Sequence, residues 1–108
     1  MPPGFRYEHT IIYETPVSLD HLAGPLVGTV VVGPHIDTRP HPVYDLAVAK
    51  QRWGLYSAVV RDGRAVDQER LLNRTLLLEL WLELNLPVRC RQVWEAQFPE
   101  LTDQATGQ

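Results

Sequence analysis

Apolar and polar side chains alternate near the start of the chain, as they do in a β-strand with one buried face. The alternation runs through residues 5–14 and predicts a first strand. Its apolar side carries Phe5, Tyr7, His9 and Ile11. A run rich in β-branched residues over 27–32 predicts a second strand, and Ser18 or Asp20 between the two can cap a single helical turn.

Beyond residue 45 the apolar positions recur at steps of three or four, which is typical of amphipathic helices. Asp45 is a suitable N-cap for the first long helix, and Gly63 is suited to end it. The stripe of this helix carries Leu46, Ala49, Trp53, Tyr56 and Val60. The same spacing predicts three shorter helices over 67–72, 73–84 and 87–98. Asp67 can cap the first, Asn73 or Thr75 can open the second, and Pro87 suits the first position of the third.

These elements predict an α+β fold in which short N-terminal antiparallel β-strands pack against three to four C-terminal α-helices. We expect one domain over residues 1–101 and a mobile polar tail over 102–108. Three prolines within 34–42 exclude most regular structure, so this stretch is predicted to be an extended surface connector. A hydrophobic content of 44% with 21% charged residues is typical of a globular domain with a packed core.

The charge balance argues against a general nucleic-acid binder. The formal net charge is −3, whereas affinity for phosphate backbones comes largely from concentrated Lys and Arg. Five acids and two arginines occur through residue 45, so the front is acidic. The single cysteine, Cys90, cannot form an internal disulfide, and the first residues lack a signal-peptide pattern. We therefore expect a cytoplasmic protein that does not enter a membrane.

No motif in the sequence predicts catalysis or a cofactor. His35, Asp37 and His41 are close in sequence and could ligate a metal, but their spacing matches no standard site. Glu79 and Glu83 are explained as a solvated helix face. Flanking arginines would favour a reactive Cys90 thiolate, but a buried helix position is the simpler reading. We predict no enzyme activity, no catalytic residues, no metal and no cofactor.

Three tryptophans fall one on each of three predicted helices, and this suggests more aromatic surface than one small core needs. An aromatic residue left exposed would mark a contact surface for a partner protein. The helix residues predicted to contact such a partner are Arg52, Trp53 and Tyr56. The loop residues predicted to contact it are His35, Asp37 and Arg39.

Several segments together resemble a group of small bacterial proteins associated with nucleotidyltransferase-type toxins of abortive-infection systems. They are Pro42-Val-Tyr-Asp-Leu, the ending over 80–89, the stretch 93–101 and the earlier stretch 16–33. The resemblance implies an antitoxin-like protein that binds and restrains a partner toxin, expected to be a nucleotidyltransferase. The acidic front is compatible with mimicry of a nucleic acid at a basic groove of that partner.

Two other functions stay open at the level of sequence. The first is a small DNA-binding transcriptional regulator that uses the helices over 67–98, with Arg70, Arg74, Arg89 and Arg91 as contacts to DNA. The second is a structural subunit of a homo-oligomer, in which the edge of a strand pairs with that of a second copy.

Overall fold

The structure, a computed structural model, describes residues 12–40 and 42–102. Two short strands, β1 (Thr29–Val31) and β2 (Val43–Asp45), form an antiparallel sheet. The α-helices that follow include α1 (Ala49–Asp62), α2 (Ala65–Leu71), α3 (Arg74–Leu80) and α4 (Val88–Gln97). Short 3₁₀ helices occupy Leu19–His21 and Trp81–Glu83. The predicted α+β fold, in which the strands precede the helices along the chain, is confirmed.

The core lies between the inner face of the sheet and the helices. Val30 and Tyr44 are opposite each other in the sheet and pack against the buried cluster. The second half of α1 is buried without interruption from Leu55 to Val60. Trp81 and Trp94 are fully buried, with ring centroids 6.0 Å apart. Large aromatic side chains in contact at this distance contribute strongly to core burial.

The segment before β1 follows the surface of α2. The backbone of Ala23 donates to the Glu69 carbonyl and that of Gly24 to the Leu72 carbonyl, both at 2.8 Å. A side chain at position 24 would clash with the backbone of residues 71 and 72, so glycine is required for this approach. The buried Gln68 side chain donates to the Glu14 carbonyl at 2.9 Å. These bonds join the front of the chain to the helical half.

Several predicted caps are confirmed. The Ser18 hydroxyl accepts from the Asp20 amide and caps the first 3₁₀ helix, and the Asn73 side chain accepts from the amides of Thr75 and Leu76 at the start of α3. Gly63 is the C-cap of α1, as predicted. Pro87 is the N-cap of α4, one residue before the predicted position.

Other predicted boundaries are wrong. Asp45 is the last residue of β2 and does not cap α1, which begins four positions later after Val48. The sequence predicts no strand between the connector over 34–42 and the first long helix, but residues 43–45 pair with β1. The second strand of the prediction begins only at Thr29, because Gly28 has a φ of +93° that a regular strand does not contain. Asp67 lies inside α2 and accepts from the Arg64 amide.

The two ends of the chain are only partly covered. Of the predicted first strand, residues 5–11 lie outside the described residues, and 12–14 are not in a strand. Residues 100–102 are helical, and the Thr102 hydroxyl donates to the Pro99 carbonyl at 3.0 Å. The rest of the predicted tail, 103–108, lies outside the described residues. None of the described helices is long and apolar enough to cross a bilayer.

Candidate protein-docking groove

A groove of about 410 Å³ lies between β2 and the first half of α1. On the strand side it is lined by Val43 and Tyr44, with Arg39 from the preceding loop. On the helix side it is lined by Lys50, Gln51, Trp53 and Gly54. We call this surface the Trp53 groove.

Trp53 is the tryptophan that the fold leaves at the surface. Trp81 and Trp94 are 0% exposed, whereas Trp53 is only half-buried and packs against the edge of the core. Its indole N–H donates to the backbone carbonyl of Glu83 at 2.6 Å, which fixes the ring against the end of the second 3₁₀ helix. An aromatic ring held in this way loses little conformational entropy when a partner contacts it.

Gly54 lines the helix side of the groove. It lies inside α1, where glycine is less favourable than alanine by about 1 kcal/mol. A methyl group at this position would lie 3.8 Å from the Tyr44 ring, which is an ordinary van der Waals contact. The packing of the protein therefore does not require glycine here. A methyl group would instead occupy space in the groove.

A network of three side chains holds the loop side of the groove. The Asp37 carboxylate accepts from the Arg39 guanidinium at 2.7 to 3.1 Å and from the Tyr44 hydroxyl at 2.5 Å. The bonds from Arg39, followed by that from Tyr44, hold the pKa of Asp37 well below its usual range. Burial, with the nearby Asp37 charge, raises the pKa of Tyr44. The network thus keeps one fixed set of charges at physiological pH.

The joint between β2 and α1 is also held by hydrogen bonds. Gln51 accepts from the Asp45 amide at 2.8 Å, and the Arg52 guanidinium donates to the Leu46 carbonyl at 2.8 Å. The Asp45 carboxylate accepts from the Ala47 amide in the turn between them. Both walls of the groove are therefore set by contacts within the chain.

The structure brings together only part of the predicted contact set. Trp53 and Arg39 line the groove, and Asp37 lies behind Arg39. Arg52 supports the joint from one side. Tyr56 cannot contact a partner in this fold, because it is 0% exposed and its hydroxyl accepts from the Asn73 amide.

His35 is not among the residues that line the groove, and its side chain is hydrogen-bonded to Asp67 of α2. Its Nε2 is 2.8 Å from the Asp67 carboxylate, which also accepts the Arg64 amide. Burial opposes ionisation of Asp67, but the His35 and Arg64 bonds outweigh it and lower its pKa. His35 and Asp37 thus have separate partners, and His41 lies outside the described residues. Among the residues that the structure describes, no three His, Cys, Asp or Glu side chains are grouped to hold a metal.

In the described part of the N-terminal 45 residues, the acidic side chains contact other groups of the same protein. Glu14 accepts from the Ala65 amide, and Asp20 lies 3.5 Å from the Arg74 guanidinium. Asp37 and Asp45 make the bonds given above.

Two of the four arginines expected to contact DNA have internal roles. Arg91 donates to the carbonyls of Trp81 and Leu84 and stacks over the Trp81 ring at 5.0 Å. Arg74 is within 4.0 Å of Asp20 and Glu100. Cys90 is fully buried, and burial raises its pKa to about 11, the opposite of a reactive thiolate.

Sequence reasoning missed most of the groove, namely Val43, Tyr44, Lys50, Gln51 and Gly54. The cause is the missed strand β2, whose pairing partner lies more than ten residues earlier. Two local signals were present: the β-favouring pair Val-Tyr after Pro42, and a glycine inside a strongly helical stretch. Comparison of the chain with protein-family models, with curated proteins and with solved structures gave no match.

Proposed function

We propose that this protein is a cytoplasmic, non-catalytic binding protein, and that a partner protein docks in the Trp53 groove. The observation that carries the proposal is the pair Trp53 and Gly54. Trp53 is a half-buried aromatic side chain whose ring is held by a hydrogen bond. Gly54 is a glycine that the packing of α1 does not need. Interface hot spots are enriched in tryptophan, in pockets whose shape is set before binding.

The partner that we propose is a toxin of the nucleotidyltransferase type, which this protein restrains as an antitoxin does. The support for this choice is the sequence resemblance through residues 16–33, 42–46, 80–89 and 93–101. Docking that covers the partner's active site or its substrate groove would restrain it without any catalytic group on this chain.

The test is co-expression with the product of the neighbouring reading frame, followed by size-exclusion chromatography and a toxicity assay. We expect the two proteins to co-elute and growth to be rescued. Trp53→Ala should abolish both effects, while the control Val66→Ala, at an α2 position that is 66% exposed and outside the groove, should leave them intact. Absence of both co-elution and rescue with the wild-type chain contradicts the antitoxin role. Equal binding by the two variants contradicts the groove.

A further inference from the structure

The register of the sheet shows where the Trp53 groove runs. Val32 donates to the Pro42 carbonyl and Leu46 donates to the Gly28 carbonyl, so the pair Val31 and Val43 between them is a non-hydrogen-bonded pair. The backbone groups of Val43 therefore point away from β1, toward the outer edge of β2. They have no hydrogen-bond partner among the described residues.

The helix α1 lies along this same outer edge. The Asp45 amide also points away from β1, and Gln51 of α1 accepts it. Because Gln51 lines the groove, the groove lies between α1 and the outer edge of β2. On this edge, within the described part of the chain, the unbonded backbone groups are those of Val43, since the Asp45 carbonyl accepts from the Val48 amide. An extended peptide is the occupant that matches a strand edge facing a helix, since it can bond the edge through its own backbone.

The charged side chains of the groove determine which charge on a bound peptide is favoured. Arg39 and Lys50 are its charged lining residues, and Asp37 already pairs with Arg39. Lys50 has no ion pair within the described part of the chain. It lies in the first turn of α1, which has no acidic residue and no side-chain cap. A lysine is unfavourable at the positive end of a helix dipole, whereas a carboxylate is stabilised there.

The apolar part of the groove lies beside this charge. Trp53 provides an aromatic wall, and Val43 is 45% exposed on the strand side. An aliphatic or aromatic side chain of a bound segment can pack between them. A peptide with one acid next to an apolar residue therefore matches both the charge and the surface of the site.

We infer that the Trp53 groove binds an extended, acidic segment of the partner protein, with a carboxylate at Lys50 and a neighbouring apolar side chain against Trp53. This inference rests on the proposed function, because it specifies the part of the partner that enters the groove.

The experiment uses the full chain and three pools of synthetic nonapeptides, acetylated and amidated so that no terminal charge remains. Each pool has a fixed central residue, Asp, Asn or Lys, flanked by Val, Leu and Thr in random order. The indole resonance of Trp53 is followed by ¹H–¹⁵N NMR during titration. We expect the Asp pool to bind roughly tenfold more tightly than the Asn pool, as for a charge-assisted contact in place of a neutral one.

Charge reversal by Lys50→Glu provides the decisive comparison. An acid in the first turn is favourable for α1, so this variant should fold. It should prefer the Lys pool to the Asp pool. The inference is overturned if no pool shifts the Trp53 resonance, if the three pools bind equally, or if Lys50→Glu keeps the preference for Asp.

These outcomes are separable from failure of the proposed function. If Trp53→Ala abolishes co-elution with the neighbouring gene product but Lys50→Glu does not weaken it, the groove docks a partner and the acidic segment is wrong. If the Asp pool binds as expected and no co-elution or rescue occurs, the acidic segment stands and the antitoxin role is wrong.

Discussion

Replacement of Gly54 by alanine should make the protein more stable and a poorer binder. In the interior of a helix, alanine is more favourable than glycine by about 0.5–1 kcal/mol. The added methyl group lies at 3.8 Å from the Tyr44 ring, so no clash opposes this gain. For a domain of this size, 1 kcal/mol shifts Tm by about 4–8 °C, and the expected increase is therefore roughly 2–8 °C.

The same methyl group should weaken binding, because Gly54 lines the Trp53 groove and the methyl group would take up space in it. An extra methylene in a fitted site costs about 1 kcal/mol or more, which corresponds to roughly a fivefold loss of affinity. Stability is measured by thermal and urea unfolding followed by circular dichroism. Binding is measured as the Kd for the co-eluting partner. The two effects have opposite signs, so reduced binding cannot be attributed to unfolding.

Gly63→Ala is the matched control, at the other end of the same helix. A methyl group at that position would lie 2.6 Å from the Val59 carbonyl oxygen, so this variant should be destabilised. Destabilisation of Gly54→Ala would show that the space beside the Tyr44 ring does not admit a methyl group. Stabilisation with unchanged partner affinity would refute the role that we assign to Gly54.

Three further predictions concern charge, a buried hydroxyl and the cysteine. Lys50→Glu should raise the free energy of unfolding by about 0.3–1 kcal/mol in low salt, measured by urea titration, because it places an acid at the start of α1. Tyr56→Phe should lower it by about 1–2 kcal/mol at pH 7, because the Asn73 amide loses its acceptor. Native Cys90 should react with a thiol reagent at pH 8 only as fast as the protein unfolds, because its thiol is buried and burial raises its pKa to about 11.

Tyr56 also gives a prediction for alkaline pH. Burial raises the pKa of its hydroxyl to about 12. The unfolded chain loses this proton near pH 10 and the folded chain keeps it, so stability falls as pH rises from about 10 to 12, by at most roughly 2–3 kcal/mol. Tyr56→Phe should therefore unfold with a shallower pH dependence in this window. An unchanged dependence of stability on pH in Tyr56→Phe would contradict the burial of the Tyr56 hydroxyl. Fast labelling of native Cys90 would contradict the burial of its thiol.

The sequence was sufficient for the helical half because the relevant signals there are local. The apolar stripe of α1, the Asn73 cap and the glycine at residue 63 all act within a few residues of themselves. The start of α1 was mispredicted for the opposite reason. Asp45 is a residue type that caps helices, but pairing of β2 with β1 places it in a strand. Such pairing depends on contacts that are distant along the chain, and no short window contains them.

The candidate site shows the same division. The spacing of the three tryptophans placed them on helices but could not decide which one stays at the surface. That depends on how the helices pack, and the packing buries Trp81 and Trp94 and leaves Trp53 beside a strand that was not predicted. Tyr56 belongs to the same helix as Trp53, yet it faces α3 and not the groove.

The central claim is that a partner protein occupies the Trp53 groove, and photo-crosslinking in the native cell tests it most directly. A small aliphatic diazirine amino acid replaces Val43 in the groove, or Val66 on α2 as the matched control, at positions that are 45% and 66% exposed. We predict that irradiation links one discrete protein to position 43 and none to position 66. No adduct at position 43, or the same adducts at both positions, would contradict the account.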